Sequence, residues 1–195
     1  MNLEVMNTFA SFGTFLVIAV TAIAATVQLR HLRASNQLTG LLTVLARVEN
    51  PTFNEWADGA RRILPARMEE AAFRKSLQDS TFERDNNPWL NLANSYEWFG
   101  SLVKHGLIPH EEVMDVYASR VIQAWDLVAD AVAVSRRVEG PAVWENFEYL
   151  VVLARKWVAN HPNGYYPRNF PRLGLTDKWL AADQAAGLAP GQPRV

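Results

Sequence analysis

The chain has 195 residues, with 19 Lys and Arg against 20 Asp and Glu, and no cysteine. The lack of cysteine excludes disulfides, zinc thiolate sites and a cysteine nucleophile. The near-neutral balance of interspersed charges shows no basic footprint, so we expect no nucleic acid among the partners.

The first predicted element is a membrane-spanning helix. From Val5 to Leu29 the chain runs 25 residues without a charged side chain, and the first cations, Arg30 and Arg33, follow directly. A span needs about 20 predominantly apolar residues. We therefore predict a transmembrane helix over residues 9–29, with the lipid bilayer as a partner.

The cations around this span predict its orientation. Arg30 and Arg33 follow it, whereas no Lys or Arg precedes it. By the positive-inside rule, residues 1–8 are exported and the C-terminal domain is cytoplasmic, as in a single-pass protein of the inner (plasma) membrane. A cleaved signal peptide is the alternative, since Ala22-Ile23-Ala24 resembles a cleavage site. The length of the apolar stretch and the position of the cations favour the span, and cleavage stays open as the alternative.

Small polar side chains recur along this helix at a seven-residue spacing. They are Asn7, Thr14, Thr21, Gln28 and Ser35. Such side chains let helices pack closely in lipid and hydrogen-bond across the contact. We predict a homo-oligomer joined through the seam formed by Asn7, Thr14, Thr21 and Gln28. Two alternatives stay open. In the first, the hydroxyls bond to carbonyls of their own helix, and the helix is a simple membrane anchor. In the second, the polar side chains of several copies form a ring that lines a pore.

The next residues extend the span and start further helices. Residues 31–49 continue it without a proline, and Asn50-Pro51 is typical of a cap and the first position of a new helix. Pro65 is expected to stop or kink that helix. A shorter helix is predicted around Glu69 to Gln78, and the polar stretch from Asp79 to Asn87 is predicted to be a loop.

Three further signals divide the rest of the chain. Asn87-Pro88 starts a helix that ends at Gly106, and a long helix follows from Pro109 to about Gly140. Pro141 is predicted to start the last strong helix, which ends in the turn around Pro162.

The predicted fold class is all-α, because no alternating strand pattern competes with the helical periods. One N-terminal transmembrane helix continues into a single soluble bundle of about five or six helices, and the cytosolic domain covers residues 30–161. Residues 162–195 form a Pro/Gly-rich C-terminal tail. We predict that it is partly packed, because it contains Tyr165, Tyr166, Phe170 and Trp179.

A candidate polar cluster comes from two of the predicted bundle helices. Its members are Asn94, Glu97, Asn146 and Glu148. Glu97 and Glu148 each have aromatic neighbours on both sides, and partial burial among them would suit a catalytic or ligand site. The alternative is a structural network, with Arg120 or Arg155 neutralising the acids.

The catalytic and metal-binding patterns of the sequence are incomplete or missing. Ser101-Leu102-Val103-Lys104 has the nucleophile spacing of penicillin-binding enzymes but lacks their Ser-Asp-Asn and Lys-Thr-Gly motifs. There is no His-Glu-x-x-His, and no histidine follows a glutamate by three residues. We therefore assign no catalytic residue, no metal ligand and no cofactor.

Several short segments resemble a known family. They are Gln28-Leu29-Arg30, Asn36-Gln37-Leu38, Glu49-Asn50-Pro51, Tyr96-Glu97 and Glu145-Asn146-Phe147-Glu148-Tyr149-Leu150. Their order resembles an uncharacterised family, a domain of unknown function, of short prokaryotic single-span membrane-anchored helical proteins. The resemblance implies the architecture described above and implies no activity.

The expected function is that of a membrane-anchored helical interaction or scaffold protein. It is predicted to self-associate through the transmembrane helix and to bind an unknown cytosolic or membrane protein. Two other functions stay open. One is a membrane-attached enzyme with a site near Glu97 and Glu148, and the other is the subunit of a small oligomeric pore.

Overall fold

A long helix forms the N-terminal part of the molecule. The computed structural model describes residues 3–79 and 87–187, and its first helix, α1, runs unbroken over Leu3–Val48. By length and composition α1 is apolar enough to cross a membrane, and none of its most apolar window is buried inside the protein. The predicted continuation of the span into the domain as one helix is confirmed.

Within the described residues, five helices after α1 form the bundle, and a short helix lies in the tail. Their bounds are α2 Pro51–Glu69, α3 Ala71–Gln78, α4 Pro88–Lys104, α5 His110–Glu139, α6 Glu145–Asn160 and α7 Leu180–Ala185. No strand occurs in residues 3–79 and 87–187. The all-α prediction is confirmed.

The bundle is built around the contacts of α4, α5 and α6. Helix α4 packs against α6 and α2, and α5 packs against α6, α3 and α2. The most deeply buried side chains at these contacts include Leu92, Tyr96, Val121, Val128, Phe147 and Leu150. Apolar positions three and four residues apart share one face of a helix, so each helix buries one stripe.

The last turns of α1 join the bundle by one face. Val44 and Val48 are buried, and a Cβ added to Gly40 would come within 3.1 Å of the Ile108 side chain. Leu38 and Leu42, on another face of the same turns, remain exposed. The bundle therefore holds this end of α1 from one side only.

Two predicted helix starts coincide with prolines in the structure. The side chain of Asn50 accepts a hydrogen bond of 2.9 Å from the backbone N–H of Thr52, and Pro51 is the first residue of α2. Pro88 is likewise the first residue of α4. A proline loses no helical hydrogen bond at this position, because the first N–H groups of a helix have no partner within it.

Pro65 was predicted to stop or kink α2. It lies inside α2, which continues to Glu69, so the stop is wrong, and the kink stays a prediction. The missing proline N–H removes one bond to the carbonyl a turn earlier. Burial of Leu64 keeps this part of α2 against the core, and Arg74 of α3 donates a hydrogen bond to the carbonyl of Met68. These contacts hold the last turn in place.

Helix α6 begins at Glu145, so the predicted start at Pro141 is also wrong. Residues 141–144 form turns, and Trp144 has a left-handed backbone with φ of 53°. The Trp144 ring is buried and meets the Trp89 ring edge-on, with 5.7 Å between centroids. Burial of this indole outweighs the helical preference of the segment.

The beginning of the tail contacts the domain. The Tyr165 ring lies 5.3 Å from the Trp157 ring and 5.1 Å from the His161 ring, centroid to centroid. Tyr165 nevertheless remains exposed, as do the other tail aromatic residues, Tyr166, Phe170 and Trp179.

Parts of three predicted segments lie outside the described residues. They are residues 1–2 of the exported N-terminus, residues 80–86 of the predicted loop and residues 188–195 of the tail.

Candidate functional site

Two clefts lie beside α4 and share the side chains of Asn91 and Asn94. The first has a volume of about 460 Å³ and is also lined by Arg47, Trp56 and Trp98. The second, of about 430 Å³, lies between α4, α5 and the turn before α6. Three of the four residues of the candidate polar cluster meet around the second cleft and the adjoining start of α6.

Glu97 connects α4 to the start of α6. Its Oε2 accepts a hydrogen bond of 2.8 Å from the backbone N–H of Phe147, and its Oε1 accepts one of 2.6 Å from Nδ2 of Asn146. Phe147 is the third residue of α6, where backbone N–H groups have no partner inside the helix. A carboxylate at this end satisfies such a donor and interacts favourably with the helix dipole. Glu97 is thus a cap supplied by a neighbouring helix.

Lys104 makes two further contacts between α4 and the start of α6. Its Nζ donates to Oδ1 of Asn146 at 3.1 Å and to Oε1 of Glu145 at 3.0 Å. The amide of Asn146 therefore donates to Glu97 and accepts from Lys104. Both partners of the Lys104–Glu145 ion pair are substantially exposed, so water screens the charges and the pair adds little stability.

Gly100 allows α4 and α6 to approach closely. A Cβ added to this residue would overlap the backbone carbonyl of Asn146. Gly100 lies one turn after Glu97 on α4, so the close approach and the cap occur in the same part of the helix contact.

Asn94 holds the residue that precedes α6. Its Oδ1 accepts a hydrogen bond of 2.9 Å from Nε1 of Trp144. Since Trp144 has the left-handed backbone that starts α6, this bond helps to orient the turn. Asn94, Glu97 and Asn146 together hold the N-terminal end of α6 against α4.

Glu148 belongs to a different contact. Nη1 of Arg136 donates to its Oε2 at 2.7 Å, while Nε of Arg136 donates to the carbonyl of Val143 at 2.9 Å. The structure thus brings together three of the four predicted residues and places the fourth with the end of α5.

The predicted partners of the acids are wrong. Arg120 lies over the Tyr117 ring, 5.8 Å from its centroid, and Arg155 donates to Asp126 at 2.9 Å. The sequence did not indicate that Arg136 pairs with Glu148 or that Lys104, which shares a polar stripe of α4 with Asn94 and Glu97, contacts the start of α6. A cation in the last turn of a helix is ordinarily explained by the helix dipole, so these two carried no separate signal of a long-range contact.

Tyr96 lies on the core side of the contact between Glu97 and the start of α6. Its ring stacks on Phe147 with 4.8 Å between centroids and an interplanar angle of 12°. Burial raises the pKa of the Tyr96 hydroxyl well above its ordinary value, although Arg120 and Arg61 partly oppose the shift. Burial, with a contribution from Glu49, also raises the pKa of Tyr117. The Tyr96 phenol therefore stays neutral throughout the physiological range.

The predicted seam residues are all exposed on α1: Asn7, Thr14, Thr21 and Gln28. Oγ1 of Thr21 donates to the carbonyl of Val17 at 2.7 Å, which is the bond expected of a plain anchor. Its oxygen retains acceptor capacity, and Gln28 has a full amide.

The described residues contain no group of three or more His, Cys, Asp and Glu side chains able to hold a metal ion. The polar contacts of α4 hold the start of α6, and the apolar stretch of α1 stands outside the bundle. This arrangement defines a helical bundle attached to a potential membrane anchor.

The family to which this architecture belongs is shown by comparison. The chain belongs to the family described as a domain of unknown function, DUF4760, whose model matches residues 15–157. The match begins within the apolar part of α1 and ends within α6, so it includes most of α1 and the bundle helices together. The resemblance to an uncharacterised family is confirmed. Neither a curated protein nor a solved structure matches the chain.

Proposed function

We propose that this protein is a membrane-anchored helical interaction or scaffold protein that self-associates through α1. In this proposal the N-terminus is exported, the bundle is cytoplasmic, and the chain crosses the inner (plasma) membrane once. The observation that carries it is the continuity of α1, a 46-residue helix that extends from a fully exposed apolar stretch to a face buried against the bundle.

The joint between α1 and the bundle supports a rigid coupling of the two. Val44 and Val48 are buried in the bundle core, and Gly40 lies against the segment between α4 and α5. There is no proline within α1. A partner that orients the membrane part of α1 therefore also orients the bundle, as a scaffold requires.

The polar contacts of the bundle support a structural use of the candidate cluster. Both carboxylate oxygens of Glu97 accept hydrogen bonds from the start of α6, and Glu148 is paired with Arg136. These acids connect helices, which favours an interaction module over an enzyme that would use them on a substrate.

Self-association is supported by the exposed seam. Asn7, Thr14, Thr21 and Gln28 lie within about 60° of one another around α1, because seven residues fall 20° short of two turns. In lipid, close packing of small side chains drives helix pairing, so the Thr21 bond to its own helix does not prevent it. Gln28 supplies an amide able to bond across the contact.

The lack of native cysteine permits a direct test by single-cysteine cross-linking in native membranes. Cysteines are placed at Thr14, Thr21 and Gln28, with Leu16 and Ile23 as exposed controls on the opposite face of α1. We expect oxidation to give cross-linked species at the three seam positions and much less at the two controls. Equal cross-linking at all five positions, or none at any, would contradict self-association through this seam.

A further inference from the structure

The tail that follows α6 exposes its aromatic side chains to solvent. Residues 165–179 contain four of them, each between 45% and 66% exposed: Tyr165, Tyr166, Phe170 and Trp179. The bundle reaches this segment at Tyr165, whose ring contacts Trp157 and His161. A single exposed apolar residue is ordinary, whereas several large ones in one short segment indicate an interaction surface.

Part of this segment is a closed loop. Nη2 of Arg172 donates to the carbonyl of Asn163 at 2.5 Å, and the guanidinium carbon of Arg172 lies 4.7 Å from the centroid of the Tyr166 ring. The Tyr166 hydroxyl donates to the carbonyl of Pro171 at 3.2 Å. Phe170 lies within this loop and is still exposed. The loop therefore presents an aromatic ring outward while its own contacts hold the backbone.

Cations alternate with the aromatic residues. Residues 165–179 contain three cations and one acid: Arg168, Arg172, Lys178 and Asp177. Nζ of Lys178 lies 5.1 Å from the centroid of the Trp179 ring, so two of the three cations lie beside an aromatic ring. The next acid, Asp183, lies beyond this segment in α7. The segment is thus an exposed surface that is both aromatic and positively charged.

We infer that residues 165–179 dock on the anionic surface of the lipid bilayer that α1 crosses. This inference rests on the proposed span of α1. Tyr and Trp side chains concentrate at the level of lipid headgroups, because one end of the ring is apolar and the other bonds to water. Arg and Lys are attracted to anionic lipids. One lipid surface therefore accommodates both the rings and the cations of this segment.

The anchor keeps the segment close to that surface. Gly40 and Val48, where α1 meets the bundle, lie about 16 and 29 Å beyond Leu29 along the helix. The 18 residues from Pro162 to Trp179 span up to about 60 Å when extended, so their length does not prevent contact with the bilayer. A tethered partner acts at high effective concentration, which favours the bilayer over an acidic protein recruited from solution.

The test is fluorescence quenching of the full-length protein in reconstituted vesicles whose lipids carry bromine on the acyl chains near the headgroup. Because the chain has no cysteine, an Asn169→Cys substitution at an exposed loop position carries a single bimane label. We expect quenching in vesicles of phosphatidylcholine and phosphatidylglycerol in equal parts, and much less in phosphatidylcholine alone. A label at Phe15→Cys, within the span, should be quenched in both.

Two substitutions separate the contributions of charge and of apolar contact. Arg168→Gln should lower the ratio of docked to free tail about fivefold. Phe170→Ala should lower it about tenfold or more. Arg62→Gln removes an exposed cation of α2 and is the matched control, which should leave the ratio unchanged. All three side chains are exposed, so we expect each variant to remain folded.

Three results would overturn the inference while the Phe15 label shows that the span is intact. They are an unquenched Asn169 label in the anionic vesicles, equal quenching in both kinds of vesicle, and equal effects of Arg168→Gln and Arg62→Gln. Lack of quenching at Phe15 would instead contradict the proposed function, and with it the docking that rests on the span. The Phe15 label thus distinguishes the two failures.

Discussion

The carboxylate of Glu97 accepts the backbone N–H of Phe147 across the interface between α4 and α6, at 2.8 Å. A helix cap is usually supplied by the residue that directly precedes the helix. Here that position is held by Trp144, whose left-handed backbone and apolar side chain provide no cap hydrogen bond. The neighbouring helix supplies the acceptor instead, and the same contact determines how α6 is placed in the bundle.

Removing this cap should destabilise the protein. Glu97→Ala leaves the Phe147 N–H and the Asn146 amide without their acceptor, so we expect the free energy of unfolding to fall by about 1 to 3 kcal/mol. Denaturant unfolding of the detergent-solubilised chain, followed by tryptophan fluorescence, measures the change. Glu55→Ala, an exposed acid on α2, is the control and should change stability by less than about 0.5 kcal/mol. Equal effects of the two substitutions would contradict the capping role.

A methyl group at Gly100 should be more damaging. The added Cβ overlaps the Asn146 carbonyl, so α4 and α6 must separate. We expect Gly100→Ala to lower the free energy of unfolding by at least about 2 kcal/mol. Gly174→Ala provides the matched control, since a Cβ there meets nothing within 4 Å. A Gly100→Ala protein as stable as the control would show that the helices do not cross this closely.

Alkaline pH should destabilise the protein through Tyr96. Desolvation raises the pKa of the folded Tyr96 hydroxyl above that of the unfolded chain. As the pH rises, the unfolded state therefore loses the Tyr96 proton before the folded state does. The contribution of Tyr96 to the free energy of unfolding is complete below about pH 10, and above that pH it declines by up to about 1.4 kcal/mol per pH unit.

Unfolding free energies measured between about pH 8 and pH 11 test this sign. Tyr96→Phe keeps the ring that stacks on Phe147 and removes the titrating hydroxyl, so its stability should decline less over the same range. Tyr149→Phe, at a residue 38% exposed, should retain the decline of the parent protein. Parallel pH profiles for all three proteins would rule out the Tyr96 contribution.

The proposed orientation predicts which end of the chain a membrane-impermeant maleimide reaches in intact cells. Leu3 and Leu173 are 84% and 87% exposed, so single cysteines at both are accessible to reagent. Leu3→Cys should be labelled with the inner membrane intact, and Leu173→Cys only after permeabilisation. The reverse pattern would show that the bundle is exported.

Local signals predicted most of the helices because they act within a few residues. The uncharged run from Val5 to Leu29 and the Asn50-Pro51 start need only near neighbours to be interpreted. Where the local signal failed, a distant contact was the cause. Pro65 lies inside α2 next to the buried Leu64, and Pro141 does not begin α6 because the buried indole of Trp144 belongs to a turn with a left-handed backbone.

The candidate cluster shows the same division. Apolar neighbours around Asn94, Glu97 and Asn146 indicated that these polar groups would meet a partner. Their partners lie about 40 to 50 residues away in the chain, as the 50-residue separation of Glu97 and Phe147 illustrates. No spacing rule connects residues on separate helices, so the pairing of Glu148 with Arg136, only 12 residues apart across the turn between α5 and α6, was also missed.

By itself, the sequence determined the all-α class, the long apolar helix and the positions of most helix starts, since these follow from side-chain hydropathy and backbone preferences read along one segment. Only the tertiary structure decided which acid caps α6 and which cations pair with acids. Those outcomes depend on how closely two helices approach. Gly100 permits the close approach of α4 to α6 because it has no side chain, and the Asn146 backbone that it meets lies 46 residues further along the chain.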